Sequence, residues 1–144
     1  MNQTVETVFP DIAIPSPTYS VAQAPDKDIY IGTESNGLYI YSENWKLKKH
    51  VPIDGIIATI LPDNNGDIWL GLDETGICLF NKNKQTFTWL HKDNTNLNNN
   101  SIRTFVSYGD SSILVGTFRG LNILNKKELT ITPANINIAG KGGL

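Results

Sequence analysis

The sequence repeats itself three times at a nearly fixed spacing, and this repeat restricts the fold more than any other feature. Each copy ends an apolar run with a glycine, and the equivalent glycines are Gly32, Gly71 and Gly116. The longer second interval is explained by a polar run over 91–100, because insertions are tolerated in loops. The chain is therefore predicted to consist of three similar structural units.

Each copy reads as four short β-strands separated by turns. An apolar stretch comes first, a strand such as Ile68-Trp69-Leu70-Gly71 follows, and a second glycine opens a third strand. The outer strand alternates, with Phe87 and Leu90 contrasting with Thr86 and Thr88. Helical periodicity is weak throughout, so the pattern predicts an all-β chain.

Repeats of this length with four strands each are typical of β-propeller blades. The predicted fold is an all-β β-propeller segment, a single domain over 1–144 with three four-stranded antiparallel blades at approximately 17–52, 56–92 and 101–133. Residues 134–144 are predicted to start the next interblade linker. Three blades do not close a ring, since propellers usually need about 4 to 8. An apolar blade face is therefore expected to be exposed at each end.

The two glycines of each unit have predicted physical roles. The first ends an inner strand at a place where a side chain would collide with the next blade. The second permits the backbone turn into the third strand. Tyr30 and Trp69 are expected to fill the gaps between blades, whereas Leu114 makes the third such contact less bulky.

Composition excludes several classes of function. The net charge is -2 without a dense basic patch, so no nucleic-acid partner is expected. Cys78 is the only cysteine and lies in an apolar run, which excludes an intrachain disulfide and predicts a small buried side chain. No apolar stretch is long enough to cross a bilayer, so no membrane contact by this segment is predicted.

No catalytic constellation stands out. His50 and His91 are the only histidines and fall on different units, and no nucleophile elbow, zinc-protease or phosphate-loop motif occurs. Asp63, Asn65 and Asp67 faintly resemble a calcium loop, but Asx turns explain them more simply. The sequence predicts a non-catalytic protein without cofactor or metal.

The loops between second and third strands share one rim of a propeller with the interblade linkers, and ligands usually enter there. Sugar recognition favours an aromatic platform flanked by carboxylates, amides and arginine. The candidate ligand-binding residues in these loops are Glu34, Asn36, Asp73, Glu74, Phe118, Arg119 and His91. Trp89 is a further possible stacking surface, although packing between blades is the favoured interpretation of this residue.

The second unit resembles the two-component regulator propeller repeat through Asp63, Gly66, the strand Ile68-Trp69-Leu70-Gly71 and the pair Gly76-Ile77. The run 94–102 resembles the interblade linker of that family. The resemblance covers roughly residues 17–133, although the first unit lacks the Asp-x-x-Gly turn.

The resemblance implies a setting and a function. Such repeats build periplasmic sensor regions of hybrid two-component histidine kinases in Bacteroides-type bacteria, and these regions respond to glycan fragments. The implied function is a sensor propeller fragment in the periplasm that detects oligosaccharides. Its partners would be the remaining blades of the same protein or another copy of the chain. A protein-interaction scaffold without a small ligand is the alternative, and a propeller lyase is a third hypothesis.

Overall fold

The computed structural model describes residues 12–134, and this part of the chain forms twelve β-strands. In chain order they are β1 Thr18–Gln23, β2 Ile29–Thr33, β3 Leu38–Tyr41, β4 Leu47–Val51, β5 Ile57–Pro62, β6 Asp67–Leu72, β7 Gly76–Asn81, β8 Thr86–Leu90, β9 Ile102–Tyr108, β10 Ser112–Thr117, β11 Gly120–Asn125 and β12 Thr130–Pro133. Between residues 12 and 134 there is no helix of a length and hydrophobicity that would cross a membrane.

The strands form three separate four-stranded sheets, each made of four consecutive strands in sequence order. We call β1–β4 blade 1, β5–β8 blade 2 and β9–β12 blade 3. Neighbouring strands within each sheet run antiparallel. No sheet within the described range closes on itself, so the predicted fold class, an open propeller segment with four strands per blade, is confirmed. Most of the predicted following linker, 135–144, lies outside the described residues.

The blades stack with their first strands innermost. Strand β1 contacts β5, and β5 in turn contacts β9, whereas the fourth strands lie at the opposite edge of each sheet. One apolar cluster fills the space between blades 1 and 2, and a second fills the space between blades 2 and 3. Tyr30 belongs to the first cluster and Trp69 to the second, both with at most 1% exposure. The predicted role of these two aromatic residues between blades is confirmed.

The first glycine of each unit lies where two blades come closest. A Cβ on Gly32 would lie 2.6 Å from the Cγ2 of Ile57 in blade 2. A Cβ on Gly71 would likewise meet Ile102 of blade 3 at a distance that real Cβ atoms do not tolerate. Because only hydrogen fits at these two positions, each glycine allows the following blade to approach, as predicted.

The second glycine of each unit makes the turn into the third strand. Gly37, Gly76 and Gly120 have φ values of 77°, 97° and 122°, a region that side chains disfavour. A Cβ on Gly76 would also lie 2.6 Å from the carbonyl oxygen of Leu90. The predicted function of these glycines as turn residues is confirmed.

One expectation about the ends of the array is wrong. The outer face of blade 1, which has no preceding blade, is covered by residues of the chain itself. Ile31, Tyr39 and Tyr41 on this face are buried, and Ile12, Ile14, Ile29 and Trp45 pack against them. The ring of His50 stacks on Tyr39 with centroids 4.3 Å apart. Local sequence patterns did not reveal this cover, because it depends on contacts with residues before β1.

Candidate functional site

The predicted ligand-binding loops lie at one end of the blades. The turns of 33–37, 73–75 and 117–119 connect second to third strands, and the linkers 52–56 and 91–101 run beside them. Backbone hydrogen bonds hold each turn to the segment entering its blade: Glu34 N–H donates to the Pro17 carbonyl, Asp73 to Ile56 and Phe118 to Ser101. We call the end of the blades formed by these loops the rim.

Two of the predicted binding residues have their polar groups engaged within the protein. The Asn36 side-chain amide donates to the Tyr39 hydroxyl, and the backbone carbonyl oxygen of Asn36 lies 2.7 Å from Nε2 of His50. His91 starts a turn in which its Nδ1 accepts a hydrogen bond from the Asp93 N–H at 3.2 Å. Both residues stabilise loops of the rim in this structure.

The other predicted rim residues are accessible but do not converge. Glu34 and Glu74 are exposed at the tips of separate turns, and Asp73 is half-buried. Glu74 has a φ of 67°, a strained value for a side-chain-bearing residue. None of the ion pairs among the described residues joins Arg119 of blade 3 to these acidic residues of blades 1 and 2.

Phe118 is the most exposed large apolar side chain among the described residues, at 69%. Its partner is Arg103 of β9, whose guanidinium carbon lies 5.4 Å from the ring centroid. This cation–π geometry orders both side chains at the rim. The adjacent Arg119 is exposed. The sequence analysis named Phe118 and Arg119 as candidates but did not name Arg103, which contacts the ring.

Arg103 occupies a position that is irregular in all three blades. The first strand of each blade has a bulge one residue after its start, at Tyr19, Ala58 and Arg103. A β-bulge redirects a side chain out of the regular alternation. The side chain at the bulge is an aromatic ring in blade 1, a methyl group in blade 2 and a guanidinium in blade 3. The chemistry of the rim at this position therefore differs between blades. Spacing alone did not indicate the bulges.

A groove with an aromatic wall lies where the linker between blades 1 and 2 passes the outer strand of blade 2. Its volume is about 450 Å³, and it is lined by Pro52, Ile53, Asp54, Thr75, Phe87 and Trp89. The lining combines two aromatic rings with one carboxylate and one hydroxyl. We call it the outer groove.

The alternation of β8 places both aromatic rings of the outer groove on one side. Phe87 pairs with Phe80 and Trp89 pairs with Cys78, and both partners face blade 1. Trp89 is half-buried and packs against the cluster between blades 1 and 2. The favoured interpretation of Trp89 as an interblade residue is therefore confirmed, and its remaining surface lines the groove.

Among the three blades, only blade 2 carries two aromatic rings at these positions of its outer strand. In blade 3, Ile131 and Pro133 occupy the register positions that Phe87 and Trp89 occupy in blade 2. In blade 1 these positions hold Leu47, opposite Tyr41, and His50, whose ring stacks on Tyr39. Since residues that only maintain the fold recur in every unit, residues present in one unit at an equivalent position indicate a local role.

The polar turn that resembled a calcium loop is an ordinary Asx turn. The Asn64 N–H donates to Oδ1 of Asp63, and the Asp67 N–H donates to Oδ1 of Asn65. Oδ2 of Asp63 accepts a hydrogen bond from Nζ of Lys126 in blade 3 at 2.9 Å. Partial burial raises the Asp63 pKa, but the hydrogen bonds from Lys126 and the Asn64 N–H, together with the charge of Lys126, hold the pKa below the usual value.

Solved structures of extracellular and surface parts of bacterial proteins share this fold. The chain superposes on the extracellular domain of the putative hybrid two-component system BT4673 from B. thetaiotaomicron with a TM-score of 0.70 and 19% identity, covering 86% of this chain and 17% of that one. The extracellular domain of the putative hybrid two-component system BT3049 from B. thetaiotaomicron superposes with a TM-score of 0.65 and 18% identity, covering 90% of this chain and 19% of that one. The type-IX secretion component PorZ of Porphyromonas gingivalis superposes with a TM-score of 0.68 and 16% identity, covering 83% of this chain and 19% of that one.

These matches confirm, at the level of the fold, the predicted likeness to sensor propellers of hybrid two-component systems. The chain spans less than a fifth of the length of each of these three proteins. No family model matches the chain, and no curated protein matches it.

Proposed function

We propose that this chain is the three-blade part of an extracytoplasmic sensor propeller, and that its outer groove binds a neutral oligosaccharide. The single observation that carries the binding proposal is the juxtaposition of Phe87 and Trp89 with Asp54 and Thr75 around one groove. The sensor assignment is supported by the fold shared with the extracellular domains of two hybrid two-component systems.

The chemistry of the outer groove suits a sugar ring. One face of a pyranose is apolar and stacks on an aromatic side chain, while its hydroxyl groups need nearby acceptors and donors. Phe87 is 45% exposed, and Trp89 is held in place by its packing against the interblade cluster. A ring fixed before binding loses little entropy when a ligand stacks on it. Asp54 and Thr75 would then contact the hydroxyl edge.

The charge of the outer groove favours a neutral ligand over an acidic one. Asp54 is the only ionisable side chain in its lining. An acidic sugar would therefore meet a carboxylate without a cation to compensate it. The rim around Phe118, with Arg103 and Arg119, has the opposite charge character, so the two surfaces would select different ligands.

Glycan-array screening of the full chain, followed by calorimetry, tests this proposal. We expect a neutral oligosaccharide to bind with one site, and Trp89→Ala to weaken binding at least about tenfold, as the loss of one stacking ring implies. Phe118→Ala is the matched control, because it removes an exposed ring at the rim and should leave affinity within about twofold.

Two results would contradict the proposal. Loss of binding in Phe118→Ala with retention in Trp89→Ala would place the ligand at the rim instead. The second result is that no glycan on the array binds, although amide hydrogen exchange shows that the protein is folded. That result would favour an interaction scaffold without a small ligand.

A further inference from the structure

The two interfaces between neighbouring blades are built by the same apolar contact. Ile57 at the start of β5 packs against Gly32, and Ile102 at the start of β9 packs against Gly71. Both isoleucines are completely buried. In each case the preceding blade offers a glycine and the following blade supplies a branched side chain that fills the space.

A lysine adds an ionic contact of the same kind to both interfaces. Lys82 lies six residues after Gly76 and reaches back to blade 1, with Nζ 3.2 Å from Oδ2 of Asp28. Lys126 lies six residues after Gly120 and reaches back to Asp63 of blade 2 at 2.9 Å. In both cases the following blade provides the lysine and the preceding blade provides a carboxylate in the turn between its first two strands.

The outer face of blade 3 has the features that the preceding blade contributes to each interface, namely a glycine and a carboxylate. Among the described residues, only Thr104 of the same blade comes near a Cβ built on Gly116. On this face Val106 is 53% exposed and Leu114 is half-buried. Asp110 is exposed in the turn between β9 and β10, which corresponds to the turns that carry Asp28 in blade 1 and Asp63 in blade 2. A glycine, an apolar surface and a carboxylate are thus available together.

Blade 1 lacks the isoleucine and the lysine that the following blade contributes to each interface. Thr18 occupies the register position of Ile57 and Ile102, because it pairs with the residue that follows Gly32. Glu43 lies six residues after Gly37, which is the position that a lysine occupies in blades 2 and 3. Residues 12–14 and Trp45 also cover the outer face of blade 1. A second copy docking by its first blade would bring Glu43 towards Asp110, which is a repulsive pairing.

We propose that the outer face of blade 3 is a docking surface for a further blade of the same repeat type, and not for blade 1 of a second copy. The fitting blade inserts an isoleucine from the start of its first strand against Gly116. It also places a lysine from the turn after its third strand beside Asp110. This proposal rests on the two observed interfaces and is independent of glycan binding at the outer groove.

A chain extended with one additional blade tests the proposal. The full chain is followed by a copy of residues 52–90, which contains the linker and blade 2 with Ile57 and Lys82. The matched control carries Ile57→Thr and Lys82→Glu in the appended copy only, which gives it the residues found in blade 1. Amide hydrogen exchange is measured over Ile102–Asn125, a segment that occurs once in both chains.

We expect the appended blade to slow exchange over this segment at least about tenfold, and the control to remove most of that protection. The proposal is overturned if neither chain shows slowing, or if both are protected equally. It is also overturned if the chain without an extension forms dimers in sedimentation whose formation protects the same segment.

Discussion

Ile57 occupies the space in which Gly32 would carry a side chain, with its Cγ2 only 2.6 Å from the ideal Cβ position. Gly71 and Ile102 repeat this relationship one blade further along. The interior of the array therefore depends on a contact in which one residue must have no side chain and the other must have a branched one. Several predictions about stability depend on this contact.

Adding a methyl group at the first glycines should destabilise the chain unequally. We expect Gly32→Ala and Gly71→Ala to lower the free energy of unfolding by about 2 kcal/mol each, because an overpacked interface must shift. Gly116→Ala should cost less, since only Thr104, whose side chain can rotate, lies near this site. Urea unfolding monitored by tryptophan fluorescence measures all three variants, and an equal cost at the three positions would contradict the account.

Cys78 should report opening of the interface between blades 1 and 2. It is fully buried, and burial raises the pKa of its thiol to about 12. Because the thiolate is the reactive form, labelling by a disulfide reagent at pH 8 should be at least about 100-fold slower than in urea. Gly32→Ala should accelerate labelling, and Gly116→Ala serves as the control. Rapid labelling of the native chain would argue against a closed interface.

The contact between blades 2 and 3 should lose stability in acid. Burial raises the pKa of Asp63, but the charge and hydrogen bond of Lys126 and the hydrogen bond from the Asn64 N–H together lower it in the folded protein. The unfolded pKa of an aspartate is about 3.9, and above this pH the ionised Asp63 stabilises the folded protein. This stabilisation is lost as the pH falls through the lower pKa of the folded state.

Asp63→Asn should therefore reduce the unfolding free energy by about 1 kcal/mol at pH 7 and have little effect at pH 2. Asp93→Asn, in an exposed turn, is the control. Denaturant unfolding between pH 2 and 7 measures both variants, and a cost for Asp63→Asn that does not change with pH would contradict this explanation.

The linker between blades 2 and 3 should depend on a pair of asparagines. Asn122 is fully buried in β11, and its amide donates to Oδ1 of Asn98 at 2.9 Å while its own Oδ1 accepts the Asn98 N–H at 3.1 Å. Asn98→Ala leaves the Asn122 amide without this acceptor, at a cost of about 1–3 kcal/mol. Asn96→Ala, in an exposed part of the same linker, should change stability by less than about 0.5 kcal/mol. Thermal unfolding compares the two variants.

The sequence predicted the features that recur in every unit. Gly32, Gly37 and Tyr30 have equivalents at matching positions, and comparison of the copies therefore revealed the strands, the turns and the contacts between blades. The fold follows from this repetition because one packing solution is used at each interface.

Several contacts that occur in one unit only were not predicted. The cover provided by Ile12 and Ile14 on blade 1 has no counterpart to compare with. The outer groove combines Trp89 with Asp54 and Thr75, residues separated along the chain that meet where the linker from blade 1 passes the outer strand of blade 2. Arg103 reaches Phe118 because a bulge redirects it, and alternation predicts no bulge.

A double-mutant cycle on Gly71 and Ile102 tests the stacking of the blades most directly. Ile102→Ala removes the Cγ2 that a methyl group at position 71 would strike, so the two changes together should cost about 1 kcal/mol less than the sum of the single changes. Gly32→Ala combined with Ile102→Ala, at separate interfaces, should be additive. Strict additivity for Gly71 with Ile102 would show that the two residues do not meet across blades 2 and 3.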